Sequence, residues 1–238
     1  MPNLVFGKKN IFSIIKNFPS LVEKIYVVKG FLFDNEIFEV VKTKNLKLEF
    51  IENQKFQKIL NQKVNHQNII AYVKDFEYSQ LQDLISNKEN QTILVLDRVQ
   101  DPNNFGAIIR SAVLFGVDGI VILDRNQVDV TAAVLKTSAG TAYEIAIAKV
   151  ANLANALNVL KQKGFWVYAS YLSNDATNIA DLKFENKKVI LIGSEGKGLS
   201  NKLVSHSDFK FKINTTNIID SLNVSVATGI ILFKASLD

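Results

Sequence analysis

The sequence predicts an α/β protein in two parts, in which a small α/β domain precedes a larger parallel β-sheet covered by helices. From residue 92 onward, short β-branched apolar runs alternate with segments of helical periodicity. Strands that are apolar almost throughout are typical of parallel sheets buried on both faces. Residues 1–75 lack this regular alternation, which indicates a separate domain.

The predicted elements follow from apolar spacing and turn residues. In the domain formed by 1–75, we expect a helix over 10–17 and strands over 24–28, 46–51 and 69–73. Residues 76–91 are mostly polar and predict a linker with room for one helical turn. In the domain formed by 92–238, the predicted strands are 92–98, 119–123, 143–149, 165–171, 188–192 and 209–213, and the predicted helices are 103–115, 130–139, 151–163, 199–205 and 222–236. Gly140 and Gly164 stand where two of these helices end.

The composition excludes several classes of protein. The 238 residues include no cysteine and two histidines, which excludes a disulfide framework, a thiol nucleophile and a multi-histidine zinc site. The apolar runs are far shorter than the roughly 20 residues that a membrane-spanning helix needs. The first residues show no cationic segment before a long apolar one and no cleavage signal. We therefore expect a cytoplasmic protein that uses no metal ion.

The net charge of +5 lies entirely in the small domain. Residues 1–75 contain 12 lysines and seven acidic residues, whereas 76–238 contain 16 basic and 16 acidic residues. Such an asymmetry indicates a module for nucleic acid or another anionic surface, joined to a neutral domain. The alternative is a lysine-rich surface without a binding role.

Three loops at the predicted carboxyl edge of the sheet contain unusual residues, and ligands bind at this edge in open parallel sheets. The first, DPNNFGAIIRSA at 101–112, joins a turn and a helix cap to Arg110, whose helical neighbours are small or apolar. An unpaired buried arginine costs on the order of 3–5 kcal/mol, so we expect Arg110 in a cleft, at an interface or beside an acid. A phosphate-binding or catalytic role competes with that of a paired core arginine or one that reaches solvent.

The second loop, ILIGSEGKGL at 190–199, places three glycines after an apolar strand. Glycines allow close approach of the backbone to a ligand, but this spacing matches neither a P-loop nor a dinucleotide-binding motif. Glu195 is a carboxylate at the ligand-facing edge, suited to accept hydrogen bonds from a ligand or to hold Arg110. A plain tight turn is the alternative.

The third loop, DSLNVSVATGII at 220–231, leads into the last predicted helix. Helical spacing predicts a core stripe of Leu222, Val226, Ile230 and Phe233. Capping of the helix is a sufficient explanation for Ser221. Asn223 is disfavoured inside a first helical turn, so its amide is predicted to face a ligand.

Together the three loops closely resemble the three motifs of the SpoU branch of the SPOUT RNA ribose methyltransferases. The matching positions are Asp101, Pro102, Asn104, Gly106 and Arg110, then Gly193, Glu195, Gly196 and Gly198, then 221–227. The match is specific because all three motifs occur in the same order at similar spacing. Gly7, the segment around His66 and Gln67, and the two-part layout also resemble the bacterial 23S rRNA guanosine 2′-O-methyltransferases.

The resemblance implies features that periodicity and composition do not predict. It implies a deep trefoil knot in the catalytic domain, although true knots are rare. It implies that S-adenosylmethionine binds near Gly193, Ile213, Leu222 and Asn223. It further implies an obligate homodimer with sites built across the interface, and a ribosomal-protein-like N-terminal domain that binds rRNA, most specifically 23S rRNA.

The implied reaction is attack of a ribose 2′-hydroxyl on a sulfonium methyl, which needs alignment and proton removal but no metal. The family gives Arg110 the central role, as activator of the hydroxyl or as its base. We favour a positioning role, because a guanidinium hardly deprotonates and its planar fork suits phosphate. Asn104, Glu195, Ser221 and Asn223 would orient Arg110, the substrate and the cofactor.

Two residues depart from the family pattern: Asn214 replaces a common proline, and Asn68 replaces a glycine. Beside a 23S rRNA guanosine 2′-O-methyltransferase, the sequence leaves open a related enzyme that acts on tRNA or modifies adenosine in rRNA. A non-catalytic rRNA-binding assembly factor and a nucleotide-binding enzyme with a small substrate also stay open. The intact Arg110, Glu195 and Asn223 argue against the assembly factor.

Overall fold

The computed structural model describes residues 3–31, 35–60, 66–196, 198–216 and 221–238. The N-terminal domain has a four-stranded sheet, in the order β1-β4-β2-β3. Its elements in the chain are β1 (Asn3–Phe6), α1 (Lys8–Asn17), β2 (Val22–Val28), α2 (Asn35–Thr43), β3 (Leu48–Ile51), α3 (Asn53–Leu60) and β4 (Ile69–Val73). Strand β4 pairs antiparallel with β1 and β2, and β2 pairs parallel with β3.

Helices cover both faces of this small sheet. Ile25 and Val27 of β2 belong to a buried cluster with residues of α1 and α2, whereas Tyr26 and Val28 pack against a cluster that includes Phe56 of α3. The alternation follows from the two-residue period of a strand. Strand β1 and helices α2 and α3 were not predicted from the sequence, and they are short, with four, nine and eight residues.

The second domain is built on a seven-stranded sheet in the order β7-β6-β5-β10-β8-β11-β9. Its strands are β5 (Gln91–Asp97), β6 (Gly119–Leu123), β7 (Ala146–Val150), β8 (Trp166–Ser170), β9 (Thr177–Asn178), β10 (Lys187–Gly193) and β11 (Phe209–Lys212). All neighbouring strands of this sheet pair in parallel. The predicted α/β fold with a parallel sheet is therefore confirmed.

Helices pack on both faces of this sheet, as its apolar strands require. They are α4 (Pro102–Leu114), α5 (Ala132–Thr137), α6 (Leu153–Gln162), α7 (Asn201–Val204) and α8 (Val224–Ala235). Residues of α4, α5 and α8 share one buried cluster, and residues of α6 and α7 share the other. Within the described ranges, no helix is long and apolar enough to cross a membrane.

Three predicted elements need correction. The strand expected at 143–149 begins at Ala146, because residues Thr141–Glu144 form a 3₁₀ turn after Gly140, whose φ is +85°. The helix expected at 199–205 is limited to Asn201–Val204. The last helix begins at Val224 rather than 222.

The predicted core stripe on the last helix is wrong for three of its four residues. Val226, Ile230 and Phe233 are 51%, 40% and 54% exposed, and Leu222 is half-buried. The buried side of α8 instead consists of Val224, Thr228, Ile231, Leu232 and Ala235. The helix is apolar on two sides, so its periodicity does not tell which side faces the sheet.

The segment 76–91, predicted as a linker, packs on the second domain. The Ser79 amide donates to the Ile147 carbonyl at 2.9 Å, and Leu84 is buried in the same cluster as α6. The N-terminal domain also contacts the larger one: Phe18 lies so close to Gly140 that an added Cβ would be 2.4 Å from its ring. The Phe18 and Tyr143 ring centroids are 5.4 Å apart.

Candidate active site at the carboxyl edge of the sheet

The central strands of the sheet bring two of the predicted loops together. Gly193 at the end of β10 is in register with Asp97 at the end of β5. The loop that follows β10 and contains Gly193, Gly196 and Gly198, which we call the glycine loop, therefore leaves the sheet beside the loop before α4. Ile213 follows β11 at the same edge, and Leu222 lies just before α8.

The start of α4 is fixed by its own cap. The Asp101 carboxylate accepts hydrogen bonds from the amides of Asn103 and Asn104, at 2.8 and 2.9 Å. Pro102 occupies the first turn, where its missing N–H costs nothing. The backbone of Asn104 is thereby held, and its side chain is directed at the glycine loop.

The three predicted polar residues Asn104, Glu195 and Asn223 form one hydrogen-bonded cluster. Asn104 Nδ2 donates to Glu195 Oε1 at 2.6 Å, and Asn223 Nδ2 donates to the same oxygen at 2.8 Å. Asn223 Nδ2 also lies 3.0 Å from Asn104 Oδ1. Each residue comes from a different loop, so the cluster joins three motifs that are far apart in sequence.

Asn223 serves both the helix and the cluster. Its Oδ1 accepts from the amides of Ser225 and Val226 at 2.9 and 3.3 Å, which makes Asn223 the N-cap of α8. With the oxygen engaged by the helix, the amide nitrogen must face Glu195. The capping role expected for Ser221 is thus wrong: Ser221 is exposed and precedes the helix by three residues.

The Glu195 carboxylate keeps acceptor capacity for a ligand. Both amides donate to Oε1, and Oε2 has no hydrogen-bond partner within the described part of the chain. The side chain is exposed. An ionised carboxylate accepts about four hydrogen bonds, so a ligand hydroxyl or amine can bind to the free oxygen.

The glycine loop is shaped by a close contact of backbone with backbone. A Cβ on Gly193 would lie 2.1 Å from the carbonyl carbon of Gly198 and 2.3 Å from the amide nitrogen of Leu199. Gly198 has a φ of +61°, and its amide donates to the Ser194 carbonyl at 2.9 Å. Gly196, by contrast, has open space around its Cβ position.

The sequence analysis missed a second polar pair, formed by Asp97 and Arg98. Arg98 Nε and Nη2 each donate to an oxygen of Asp97 at 2.8 Å, and these bonds raise the pKa of Arg98. The Asp97 side chain is buried, and its Oδ2 also accepts from the Ser200 amide at 3.3 Å. A charged dipeptide directly after an apolar strand was the available signal.

These groups border an open cleft of about 600 Å³. Its lining joins the loop before α4 to the glycine loop and to the loop after β6. The lining residues are Arg98, Val99, Gln100, Asp101, Asn104, Asn126, Ser194, Glu195, Gly196 and Val224. A cleft of this size and polarity is suited to a nucleotide-sized ligand.

Arg110 lies outside this cluster. It follows Asn104 by six residues on α4, which corresponds to about 9 Å along the helix and a different face. The side chain is exposed and has no hydrogen-bond or ion-pair partner among the residues that the structure describes. Glu195, suggested as its partner, binds the two asparagines instead.

An exposed apolar surface lies on α4, the helix that carries Arg110, and on α8, which packs beside it. Leu114 is 71% exposed at the end of α4, and the rings of Phe115 and Phe233 meet at 6.1 Å. Val226 and Ile230 continue this surface along α8. We call it the α4–α8 surface.

No group of three acidic or histidine residues among the described ones is arranged to hold a metal ion.

A parallel sheet with a polar cluster and a nucleotide-sized cleft at its carboxyl edge is typical of α/β proteins that bind nucleotide-type ligands. The chain belongs to the SpoU rRNA methylase family, whose model matches residues 91–233. A second model, RNA 2'-O ribose methyltransferase substrate binding, matches residues 4–79. The protein is therefore an RNA methyltransferase of the SpoU/TrmH family.

Relatives agree with this assignment. The chain is 37% identical over 211 residues to an uncharacterized tRNA/rRNA methyltransferase of Borreliella burgdorferi, covering 84% of this chain and 91% of the relative. Among solved structures, the AdoMet-bound rRNA methyltransferase from Sinorhizobium meliloti has a TM-score of 0.76 at 24% identity, covering 98% of this chain and 86% of that one. The SpoU methyltransferase AviRb from Streptomyces viridochromogenes has a TM-score of 0.79 at 20% identity, covering 99% and 89%. The two structures support the fold.

Proposed function

We propose that this enzyme transfers a methyl group from S-adenosylmethionine to a ribose 2′-hydroxyl of RNA, at a guanosine of 23S rRNA. The observation that carries the proposal is the cluster of Asn104, Glu195 and Asn223, which unites the three motifs at one cleft. The second family model, named for 2'-O ribose methylation, supports the position of the methyl group.

The residues at the carboxyl edge fit S-adenosylmethionine. Ile213 and Leu222 are half-buried apolar residues that suit an adenine ring, and Gly193 allows the backbone of Gly198 and Leu199 to pass close to the end of β10. A solved neighbour of similar fold is described as AdoMet-bound. When bound, the cofactor supplies an electrophilic sulfonium methyl. The deep trefoil knot that the family resemblance implies belongs to this proposal as well.

The side chains of the cluster orient the substrate in this scheme. Glu195 Oε2 accepts a hydrogen bond from a substrate hydroxyl or amine, while the two asparagine amides hold Oε1 in place. Such a preset acceptor aligns the reacting hydroxyl and costs little reorganisation. Ser221 lies two residues before Asn223 and, in our proposal, binds the substrate or the cofactor.

Arg110 would complete the site from the second subunit of a homodimer. Its side chain is exposed, apart from the cluster, and close in sequence to Leu114 of the α4–α8 surface. Burial of that apolar surface against a second copy is the stabilising contribution that a symmetric dimer needs. The guanidinium then binds the RNA phosphate and the 2′-hydroxyl of the partner's substrate.

The N-terminal domain is proposed to bind rRNA. It carries the whole net charge of +5, and a cationic surface attracts the phosphate backbone. Asn68, which departs from the glycine of the family pattern described above, adopts a φ of +61°, a conformation that asparagine tolerates. We place the protein in the cytoplasm on the basis of its sequence.

Methyl transfer from radiolabelled S-adenosylmethionine to separate rRNA and tRNA pools, followed by mapping of the modified nucleotide, tests the proposal. We expect label in 23S rRNA. Label in tRNA alone would mean that the substrate is tRNA, and tight rRNA binding without methyl transfer would favour an assembly factor.

Arg110→Ala should lower turnover by about 1,000-fold or more while cofactor affinity stays within about twofold. Near-normal turnover would contradict the role of Arg110.

Mixed subunits test the shared site. Arg110→Ala and Glu195→Gln are each expected to be inactive, but a dimer of one with the other has one complete site if Arg110 acts across the interface. Random mixing should then restore about a quarter of wild-type activity, because half of the dimers are mixed and half of their sites are complete. No recovery, with exchange of subunits verified by mass spectrometry, would place Arg110 in the site of its own chain.

A further inference from the structure

Arg98 has the features of a residue fixed in advance for a ligand. Its backbone has a φ of +62°, which non-glycine residues seldom adopt outside functional or turn positions. Its side chain borders the cleft beside Asn104 and Glu195. The two hydrogen bonds to the buried Asp97 hold the guanidinium plane in one orientation.

The geometry of this pair leaves one edge of the guanidinium available. Asp97 engages Nε and one N–H of Nη2, whereas Nη1 and the second N–H of Nη2 have no hydrogen-bond partner within the described residues. These N–H groups form a flat fork of parallel donors. The Arg98 side chain is 31% exposed, so a ligand in the cleft can reach this fork.

The charge around Arg98 selects the kind of ligand. Among the described residues that line the cleft, Asp101 and Glu195 are acidic and Arg98 is basic, and the carboxylate of Asp97 lies directly against Arg98. Asp97 already compensates that charge. A phosphate would meet net negative charge here, whereas a neutral group with two adjacent acceptors would bind the fork without this repulsion.

We propose that Arg98 is a specificity-determining residue that binds O6 and N7 of the target guanine in this cleft. Guanine alone presents two adjacent acceptors on that edge, whereas adenine presents one acceptor and one donor. An arginine fork makes two parallel hydrogen bonds to this pair. The proposal rests on the proposed function, since it assumes that the cleft takes the target nucleotide.

Nucleoside analysis of methylated RNA gives the first test. Total rRNA that lacks the modification is labelled by wild-type enzyme, digested and separated by mass spectrometry. The proposal expects 2′-O-methylguanosine as the product. A different 2′-O-methylnucleoside would overturn the role of Arg98 while the methyltransferase function stands, and no product at all would instead contradict the proposed function.

The second test changes the base and the protein in turn. An RNA with 7-deazaguanine at the mapped position lacks N7, and wild-type kcat/KM should fall about 10-fold on it. In Arg98→Gln, which can still donate to Asp97, kcat/KM for guanine should fall and the guanine-to-deazaguanine ratio should approach 1, whereas Arg98→Lys, which keeps a cationic donor without the fork, should give an intermediate ratio. A ratio that stays at its wild-type value in both variants would refute the contact.

The salt dependence separates base recognition from phosphate binding. Loss of a phosphate contact lowers the slope of log affinity against log salt by about 1, whereas loss of a base contact leaves this slope unchanged. We expect an unchanged slope in Arg98→Lys and Arg98→Gln. A reduced slope in Arg98→Gln, with full activity in Arg98→Lys, would show phosphate binding instead. Lys163→Ala, an exposed residue after α6 at the opposite edge of the sheet, is the control for an unrelated cation.

Discussion

The two ends of strand β10 use polar residues in opposite ways. At its amino end, Lys188 is 1% exposed, with Nζ 3.4 Å from Asn90 Oδ1. Nearby, the Asp118 carboxylate accepts from the Thr92 amide at 2.9 Å and from Lys88 at 2.7 Å. These groups bind neighbouring segments of the chain, and the side chains of Lys188 and Asp118 are largely buried.

At the carboxyl end the polar groups are held just as firmly but remain incomplete. Glu195 has one oxygen saturated by two amides and one oxygen open to the cleft, and Arg98 has one edge bound and one edge open. Because both side chains reach solvent, water can satisfy their open sides until a ligand replaces it. The two ends of β10 therefore differ in free hydrogen-bonding capacity rather than in polarity.

The largest expected effect comes from Gly193→Ala, where the end of β10 meets the glycine loop. The new Cβ would lie 2.1 Å from backbone carbon of Gly198, and backbone cannot rotate away as a side chain does. We expect a loss of about 3 kcal/mol in the free energy of unfolding, together with loss of cofactor binding. Urea denaturation and calorimetry measure the two effects.

Gly196→Ala is the matched control in the same loop, since no atom of the described residues lies within 4 Å of its Cβ position and its φ is not positive. Its stability should stay within about 0.5 kcal/mol of wild type. If both variants behaved alike, the close contact at Gly193 would not shape the loop.

Two substitutions of Asn223, expected to have the next largest effects, separate its role as helix cap from its role as partner of Glu195. Asn223→Ser keeps a cap oxygen for α8 but loses the amide that holds Glu195, whereas Asn223→Ala loses both. We expect the alanine variant to lose about 1 kcal/mol of stability and the serine variant a few tenths. Both variants should lose activity similarly, by about 10-fold or more. Serine-variant turnover equal to wild type would limit Asn223 to a structural role.

Local motifs predict which polar residues lie at the carboxyl edge of the sheet better than they predict the partners of those residues. Asn104, Glu195 and Asn223 were identified from their loops, since the carboxyl edge of a parallel sheet brings successive loops together. The Asp97–Arg98 pair was missed because it depends on the positive φ of Arg98 and on the depth at which β5 ends. The charged dipeptide marks the two residues in the sequence, but nothing in the sequence shows that their side chains pair at the cleft.

The last helix shows a second limit of sequence patterns. Val226, Ile230 and Phe233 were assigned to the core from their spacing, yet they are exposed in the single chain. A helix that is apolar all round satisfies several spacings at once, and only the packing of α8 against α4 and the sheet selects among them. The choice depends on tertiary contacts and, in our proposal, on a second subunit.

The smallest expected effect is at the amino end of β10, with Lys188→Met. Replacing a buried charge by an apolar residue of similar length should leave stability at pH 7 unchanged or raise it by about 1 kcal/mol.

Burial lowers the pKa of Lys188, although Asp238 and Asp118 partly offset this effect. Between that lowered value and the unfolded value of about 10.4, the unfolded chain binds more protons, so wild-type stability rises with pH relative to the variant. The free energy of unfolding of the wild type minus that of Lys188→Met should therefore increase from pH 7 to 10.5, with the exposed Lys183→Met as the control for a lost charge. A stability difference that stays constant over this range would mean that Lys188 titrates in the folded protein as it does in the unfolded one, and that the amino end is less closed than its burial indicates.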